Sequence, residues 1–337
     1  MYKVSVVIPT KNRSFLLAQT IERIEAQTFP RDQYEVIVVD NDSSDDTQTV
    51  LQDKARTYPN LRFSFQEKPG AAATRNAGIR MAAGELVLFI DDDVRAEPAL
   101  IETHVSYQLK NPGASIIGSV TLPWGDTAEP LLRYMRDHRI LNPYTPGKGP
   151  IDFSYYHTCN VSTPTDILLN VGGFNEAFTI YGMEDIELGY RLESSGSRMI
   201  FAPEASAVHY RFPGYDDFME RCEQAGYSLG HLLRLHPELR TRFVENGRLT
   251  RHLKNFHFLY KWAESGLGPL FGALTKWERR RGSGQIMRLL DMHYNWSFRY
   301  HFFVGYRRYT RTHRIQNPPA VPIQPSMAKK FYKESAR

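Results

Sequence analysis

Two cysteines in 337 residues, Cys159 and Cys222, are too few and too far apart for a disulfide framework or a thiolate zinc site. Reduced thiols, as in a cytosol, are the expectation. No stretch approaches about 18 consecutive apolar residues, so no membrane-spanning helix is expected. Met1 leads at once into an apolar run, without the charged, apolar, small-residue order of a secretory leader. Two nucleotide motifs are also missing. No GxGxxG follows the first apolar run and no GxxxxGK[ST] occurs, so neither that dinucleotide pocket nor a P-loop is supported. There is no internal repeat. An apolar fraction of 42% and a charged fraction of 23% exclude disordered and fibrous classes, and the length allows one large domain or one with an appendage.

What is present, from Glu85 to Pro98, is "ELVLFIDDDVRAEP", an apolar run passing straight into consecutive carboxylates. Leu86 to Ile90 does not alternate and is short, the pattern of a strand buried on both faces. Asp91, Asp92 and Asp93 fall at its carboxyl end. Adjacent acids repel one another and add nothing to a core. They form either a solvated turn or an oxygen-rich site for Mg2+ or Mn2+, which bind through one or two carboxylates and complete their shell with substrate phosphates.

The surroundings bear on that choice. "KVSVVIPT" reads as a strand stopping at Pro9, and "SFLLAQTIERIEAQT" has helical spacing at Leu16, Leu17, Ile21 and Ile24. "YEVIVVDNDSSDDT" repeats the pattern, with a helix from about Thr47. "LRFSFQEKPG" is a third strand, "AAATRNAGIRMAAG" a helix closed by Gly84, and "ELVLFIDDD" the fourth strand. This βαβαβαβ order predicts an α/β fold with a doubly wound, mostly parallel sheet. Ligands bind beyond the carboxyl ends of such strands, where Thr10, Asp40 to Ser43 and Asp91 to Asp93 all lie. After Pro112 come a strand in "ASIIGSVTLP", a Pro/Gly-rich segment with a short helix, a strand in "FSYYHTCNVSTP", a helix within "GMEDIELGYRLESSG" and a strand pair in "RMIFAPEASAVHY". Helices are expected from there to about Arg314, then a Pro-rich extended tail.

Taken together, "VVIPTKNR", "VVDNDSSDDT", "TRNAGIRMAAGE" and "FIDDD" resemble the nucleotide-sugar half of family 2 glycosyltransferases with the GT-A fold. "NVGGFNEAFTIYGMEDIELGYRLESSGSRMIFAPEASAVHY" resembles their acceptor half. The resemblance covers about 210 residues and fades in the C-terminal third. It implies a nucleotide-sugar-binding half over 1–112 and an acceptor half over 113–210; the residues themselves then predict a helical, basic and aromatic subdomain over 211–316 and a Pro-rich tail over 317–337.

The resemblance also implies roles. Asp93 is the foremost metal ligand and His209 a second one, while Asp91 and Asp92 reach sugar or ribose hydroxyls or the metal's waters. Pro9, Thr10, Asn12, Asp40 and Asn41 fall where the family holds the nucleotide, and Arg75 matches a basic residue near the diphosphate. Many relatives carry two adjacent acids where this chain has Asp40-Asn41, which loosens the expectation of UDP. Asp185 is the candidate general base and Glu184 an acceptor-hydroxyl ligand. The expected reaction is inverting, metal-dependent transfer of a sugar to an acceptor hydroxyl, in polysaccharide or glycoconjugate synthesis. The alternatives are a sugar-phosphate nucleotidyltransferase, disfavoured because its Gly-rich basic loop is missing, and a non-catalytic nucleotide-sugar-binding protein, which would not need Asp185.

Other features carry a plainer expectation. Glu187 and Arg191, four apart, read as a surface ion pair. Trp124 and Tyr144 either stack on sugars or pin their loop. The "NVS" at Asn160 matches a glycosylation acceptor but lies in a strand and is discounted. The net charge is +5, yet Arg248 to Arg314 holds fourteen Lys/Arg against Glu264, Glu278 and Asp291, which leaves the rest of the chain negative. With the tryptophans and phenylalanines there, this basic stretch suits either an ordinary helical subdomain or helices lying on an anionic membrane surface, where lipid-linked acceptors are found. Nucleic acid is the weakest reading. A cytoplasmic protein, peripheral at the inner face of the membrane if those helices bind it, is the corresponding expectation.

Overall fold

The computed structural model describes residues 3–123, 127, 129–137, 148–210, 213–245, 266–282 and 284–313. Trp124, Tyr144 and the tail over 317–337 lie outside the described residues. The first half runs β1 (Val4–Thr10), α1 (Ser14–Glu25), β2 (Tyr34–Asp40), α2 (Thr47–Thr57), β3 (Leu61–Phe65), α3 (Ala71–Met81), β4 (Leu86–Ile90), β5 (Val94–Ala96) and α4 (Leu100–Lys110). The second half adds β6 (Ser115–Thr121), α5 (Pro130–Asp137), β7 (Gly149–Ile151), β8 (Asn160–Pro164), α6 (Thr165–Asn170), α7 (Glu184–Ser194) and β9 (Met199–His209). Then follow α8 (Tyr215–Leu235), α9 (266–281) and α10 (Met287–Thr312).

One sheet carries the molecule, in the order β3-β2-β1-β4-β8-β6-β9-β5, with β7 on β9. β2 and β4 are buried throughout because helices cover both faces, so their runs are apolar without alternation. Val7, Ile37, Val39, Val87 and Phe89 point to one core with α3, α7 and α8. Val6, Ile8, Val36, Val38, Leu88 and Ile90 point to the other, against Leu17 and Ile21 of α1, Leu51 of α2 and Leu100 of α4.

The parallel order holds across β3, β2, β1 and β4 and then gives way. β8 runs antiparallel to both β4 and β6, and β5 and β7 antiparallel to β9. The sheet is therefore mixed, since these later strands return through loops and need no crossover helix. The expected closing pair of strands is a single long strand, β9, whose register with β6 jumps from Gly118↔Ala202 to Ser119↔Ser206. Asn160 holds that irregularity, donating to the Ala205 carbonyl at 2.8 Å and the Ser119 carbonyl at 3.1 Å. Its side chain is thus part of the core. β1 runs through Pro9 to Thr10, one residue further than expected.

Glu187 and Arg191 are no surface pair. Glu187 is buried, and Arg191 binds both its oxygens while donating to the carbonyls of Val171 and Gly173, each at 2.6 Å. His236 closes on Glu187 Oε1 at 3.0 Å. The ion pair locks α7 to the turn before it. α8 and α10 pack along their length, and the approach requires glycine: a Cβ at Gly226 would lie 1.8 Å from the Phe302 carbonyl oxygen. Leu229 and Tyr306 extend these helices into the core shared with the sheet.

Candidate active site

β4 delivers the acids, and β5 then turns the chain back against β9 so that Val94 pairs with His209. The Tyr210 amide donates to the Asp93 carbonyl at 2.7 Å. This antiparallel pairing brings His209 Nε2 to 2.8 Å from Asp93 Oδ1. Asp91, Asp93 and His209 each offer one ligand atom within 4.8 Å of the others. Two carboxylate oxygens and an imidazole nitrogen form a donor set that Mn2+ accepts, with coordination left over for phosphate oxygens. Asp91 and His209 are only partly buried, which leaves that side open. The residues therefore fit the expected metal.

Asp92 is occupied differently. Its Oδ2 accepts from Thr10 Oγ1 at 2.8 Å, its Oδ1 from Arg13 Nη1 at 2.7 Å, and its carbonyl from Thr20 Oγ1 at 2.9 Å. The same Arg13 nitrogen reaches Asp93 Oδ2 at 2.8 Å. Burial, reinforced by the Asp93 charge, pushes the Asp92 carboxyl up to about 6 despite Arg13 and Thr10. Burial works against the Arg13 charge, but Asp92 and Asp93 outweigh it and raise the guanidinium above its ordinary value.

The second group of side chains centres on Arg75. α3 lies close on β1 because Gly78 has no side chain; a Cβ there would sit 2.4 Å from Val7 Cγ1. Arg75 is thereby buried and donates through Nη2 to Asp91 at 3.0 Å and through Nη1 to Glu184 at 3.2 Å. Its Cζ lies 5.7 Å from the Phe174 ring centroid. Burial opposes its charge, yet Asp91 and Glu184 raise its pKa.

Glu184 and Asp185 open α7 after two left-handed residues, Gly182 at φ 98° and Met183 at φ 69°. A non-glycine residue there costs about 1–3 kcal/mol, the kind of strain found at functional loops. The pair is pushed apart electrostatically. Burial and the Asp185 charge lift the Glu184 carboxyl to about 7 in spite of Arg75. Burial alone would raise Asp185 too, but His157, Arg75 and the Ile186 amide outweigh it and hold Asp185 below its usual value. His157 Nδ1 is 3.3 Å from Asp185 Oδ2, and the Ile186 amide donates to Oδ1 at 2.8 Å. Two carboxyls with opposed environments are the arrangement expected of distinct acid and base roles.

Thr10, Asn41, Arg75, Asp91, Glu184 and His209 all line one cleft of about 750 Å³. Pro9 lines it as well, while Phe218 and Arg221 of α8 and Phe298 and Phe302 of α10 form its far wall. At the nucleotide end, Asp40 Oδ1 accepts from the Ser43 amide at 3.1 Å. Asn41 commits both amide hydrogens to the carbonyls of Gln66 and Lys68, each at 2.8 Å, and accepts from the Gly70 amide at 3.0 Å. It thereby braces the 66–70 loop. Asn12, in the left-handed region at φ 52°, ties the loop after β1 to Ser43 and Ser44. Asp40 Oδ2, Arg75 Nε and Glu184 Oε2 are buried with no hydrogen-bond partner among the described residues. Arg75 and Glu184 line the cleft, so a ligand's polar groups there would satisfy the atoms these two leave unpaired.

Two side chains in the site had drawn no expectation. Arg13, which ties Asp92 to Asp93, lies within "VVIPTKNR". His157, on Asp185, lies within "FSYYHTCNVSTP". Both contacts cross many residues of sequence, so residue type was the only local signal.

Residues 5–170 match the family described as glycosyl transferase family 2, and residues 145–213 match the N-terminal domain of galactosyltransferase. The chain is 30% identical over 237 residues to validoxylamine A glucosyltransferase of Streptomyces hygroscopicus subsp. jinggangensis, covering 60% of this chain and 54% of that protein. It is 28% identical over 210 residues to glycosyltransferase AglE of Haloferax volcanii, covering 61% of this chain and 66% of that protein. The match thus spans about half the length of the first of these relatives. In fold, the chain is similar to a Pyrobaculum calidifontis mannosyltransferase in complex with GDP-Man and Mn2+, at TM-score 0.59 and 19% identity over 94% of this chain and 89% of that one. S. aureus TarS 1–349 with UDP-GlcNAc gives TM-score 0.55 and 18% identity over 93% and 91%.

Proposed function

The chain belongs to glycosyltransferase family 2 and carries its domain on a GT-A fold, and from that premise we propose that it transfers a sugar from a nucleoside diphosphate donor to an acceptor hydroxyl with inversion at the anomeric carbon. The observation that carries this reading is Arg75, which joins the acid cluster of β4 to the acid pair of α7 across one cleft. A donor diphosphate at Asp91, Asp93 and His209 would lie beside Arg75, with its sugar toward Glu184.

In this reading, Asp91, Asp93 and His209 would hold Mn2+ or Mg2+, which would supply charge neutralisation for the departing diphosphate. Arg75 adds a fixed positive charge on the same side, an interaction strongest as that leaving-group charge develops. The acceptor oxygen attacks the anomeric carbon as its bond to the diphosphate oxygen breaks. The hydroxyl proton passes to Asp185, whose depressed pKa keeps it ionised. Glu184 binds the acceptor hydroxyl region and lines the cleft. Asn41 is engaged by the loop it braces, so base preference is assigned to other groups, and UDP-sugars are the first donors to test.

Polysaccharide or glycoconjugate synthesis, with a sugar or lipid-linked acceptor, is the corresponding role. Among the described residues no helix is long and apolar enough to cross a membrane. On α10, however, exposed Leu289, Met292 and Trp296 recur at helical spacing beside exposed Arg288. That stripe supports peripheral binding to an anionic bilayer. Donor screening of the purified protein, reading nucleoside diphosphate release with and without Mn2+, tests the catalytic reading; no release from any donor under either condition overturns it. Pelleting with anionic vesicles at low salt tests the surface.

A further inference from the structure

A second cavity, of about 660 Å³, lies between α5, the first turn of α8, α9 and α10. Most of its wall lies beyond residue 213, where the family matches end. One side is built of rings. Phe271 and His293 stack with centroids 4.1 Å apart at 3°, and Tyr215 continues the stack on His293 at 5.6 Å and 14°.

The opposite feature is a low wall. Gly268 and Gly272 line the cavity one turn apart on α9, and a Cβ at either would meet no atom of the described residues within 4 Å. Gly226 and Gly305 differ, because there a Cβ would fall 1.8 Å from a carbonyl oxygen of the facing helix. Glycine weakens a helix interior, and at 268 and 272 no neighbour among the described residues requires it.

The charges around it balance. Lys276 and Arg279 line it together with Glu129 and Asp216, and Arg279 Nε lies 2.6 Å from Glu129 Oε2. Thr275 Oγ1 and the Tyr294 hydroxyl, 3.2 Å apart, add neutral donors and acceptors. A hydrocarbon chain would strip water from these groups and return nothing. An anionic polymer would call for an excess of positive charge. Tyr215, the half-buried end of that stack, beside paired donors and acceptors suits an uncharged, polyhydroxylated ligand.

Pro213 lines both this cavity and the cleft, and α8 gives Tyr215 and Asp216 to one and Phe218 and Arg221 to the other. We propose that the second cavity is a subsite for a neutral saccharide unit of the acceptor, remote from the unit that receives the new bond. The inference rests on the transferase reading above.

The experiment uses the full chain on a printed array of neutral oligosaccharides, then solution titration of the best-bound one. Gly272→Leu fills the cavity and should weaken that saccharide by about tenfold or more, while binding of UDP with Mn2+ stays within about twofold. Arg279→Gln, at an exposed position, removes a polar partner without filling space and should weaken it several-fold, which covers the case in which leucine disturbs the helix. Wild-type protein that binds no saccharide, or an Arg279→Gln protein that binds as wild type does, overturns the subsite. Wild-type protein that binds saccharide but no nucleoside diphosphate with Mn2+ instead strikes the transferase reading, so the two failures are distinguishable.

Discussion

Arg75 donates to Asp91 at 3.0 Å with one nitrogen and to Glu184 at 3.2 Å with the other. A single buried cation therefore couples Asp91, just after β4, to Glu184, the first residue of α7. Arg75→Met leaves both carboxylates without it, and breaking a buried pair in this way costs about 3–5 kcal/mol. Thermal unfolding should show a large drop in Tm. Arg75→Lys carries the charge on one nitrogen and cannot span both acids in the same geometry. It should fold, with nucleoside diphosphate release slowed by about 10²-fold. A lysine variant with wild-type turnover would remove Arg75 from the mechanism.

Asp93→Ala and Asp92→Asn separate ligation from support. Asp93→Ala removes a carboxylate from the Asp91–Asp93–His209 set and should abolish Mn2+-dependent UDP binding in calorimetry. Asp92 has both oxygens committed to Thr10 and Arg13. Its amide variant should lower Tm by several degrees, for a loss of about 1–3 kcal/mol, and keep Mn2+ affinity. Unchanged affinity in Asp93→Ala would leave the three acids a structural cluster, held by Thr10 and Arg13, and not a metal site.

The legible part of this protein is the part governed by short-range pattern. β2 and β4 are covered on both faces, so their unbroken apolar runs and the polar residues ending them announce strands and the edge where ligands bind. The acids of β4 are conspicuous for the same reason. Long-range pairing is another matter. Nothing local distinguishes the Glu187–Arg191 spacing of a buried lock from that of a surface pair, because burial is decided by Val171, Gly173 and His236. The register jump in β6 and β9 depends on Asn160 from a third strand. The links Arg13–Asp93 and His157–Asp185 likewise exist only once β1, β4 and α7 have packed.

Glu184 should leave a mark on stability as pH changes. Its folded pKa, about 7, stands above the ordinary value of 4.5. The folded chain thus binds more protons than the unfolded chain between those values. The contribution is fully present below about 4.5 and is lost as pH rises through about 7. Glu184→Gln keeps the shape but cannot ionise, so its Tm should fall less than that of the wild type between pH 5 and about 8. Parallel Tm–pH curves for the two proteins would mean that Glu184 is already ionised across that range.

Asp185→Asn tests chemistry apart from binding. The amide preserves size and can still accept the Ile186 amide hydrogen, but it cannot take a proton from an acceptor hydroxyl. General-base catalysis is worth on the order of 10²–10⁴ in rate, so turnover should fall within about that range while UDP–Mn2+ affinity stays near wild type. His157→Ala removes the neighbour 3.3 Å from Asp185 Oδ2 and should act in the same direction by less, because the carboxylate remains. Its pH–rate profile should shift to higher pH on the acid limb, since His157 helps hold Asp185 below its usual pKa. A purely structural Asp185 would instead lower Tm and reduce activity only in step with the folded fraction. Near-normal turnover by a folded, donor-binding Asp185→Asn protein would transfer the role of base to Glu184.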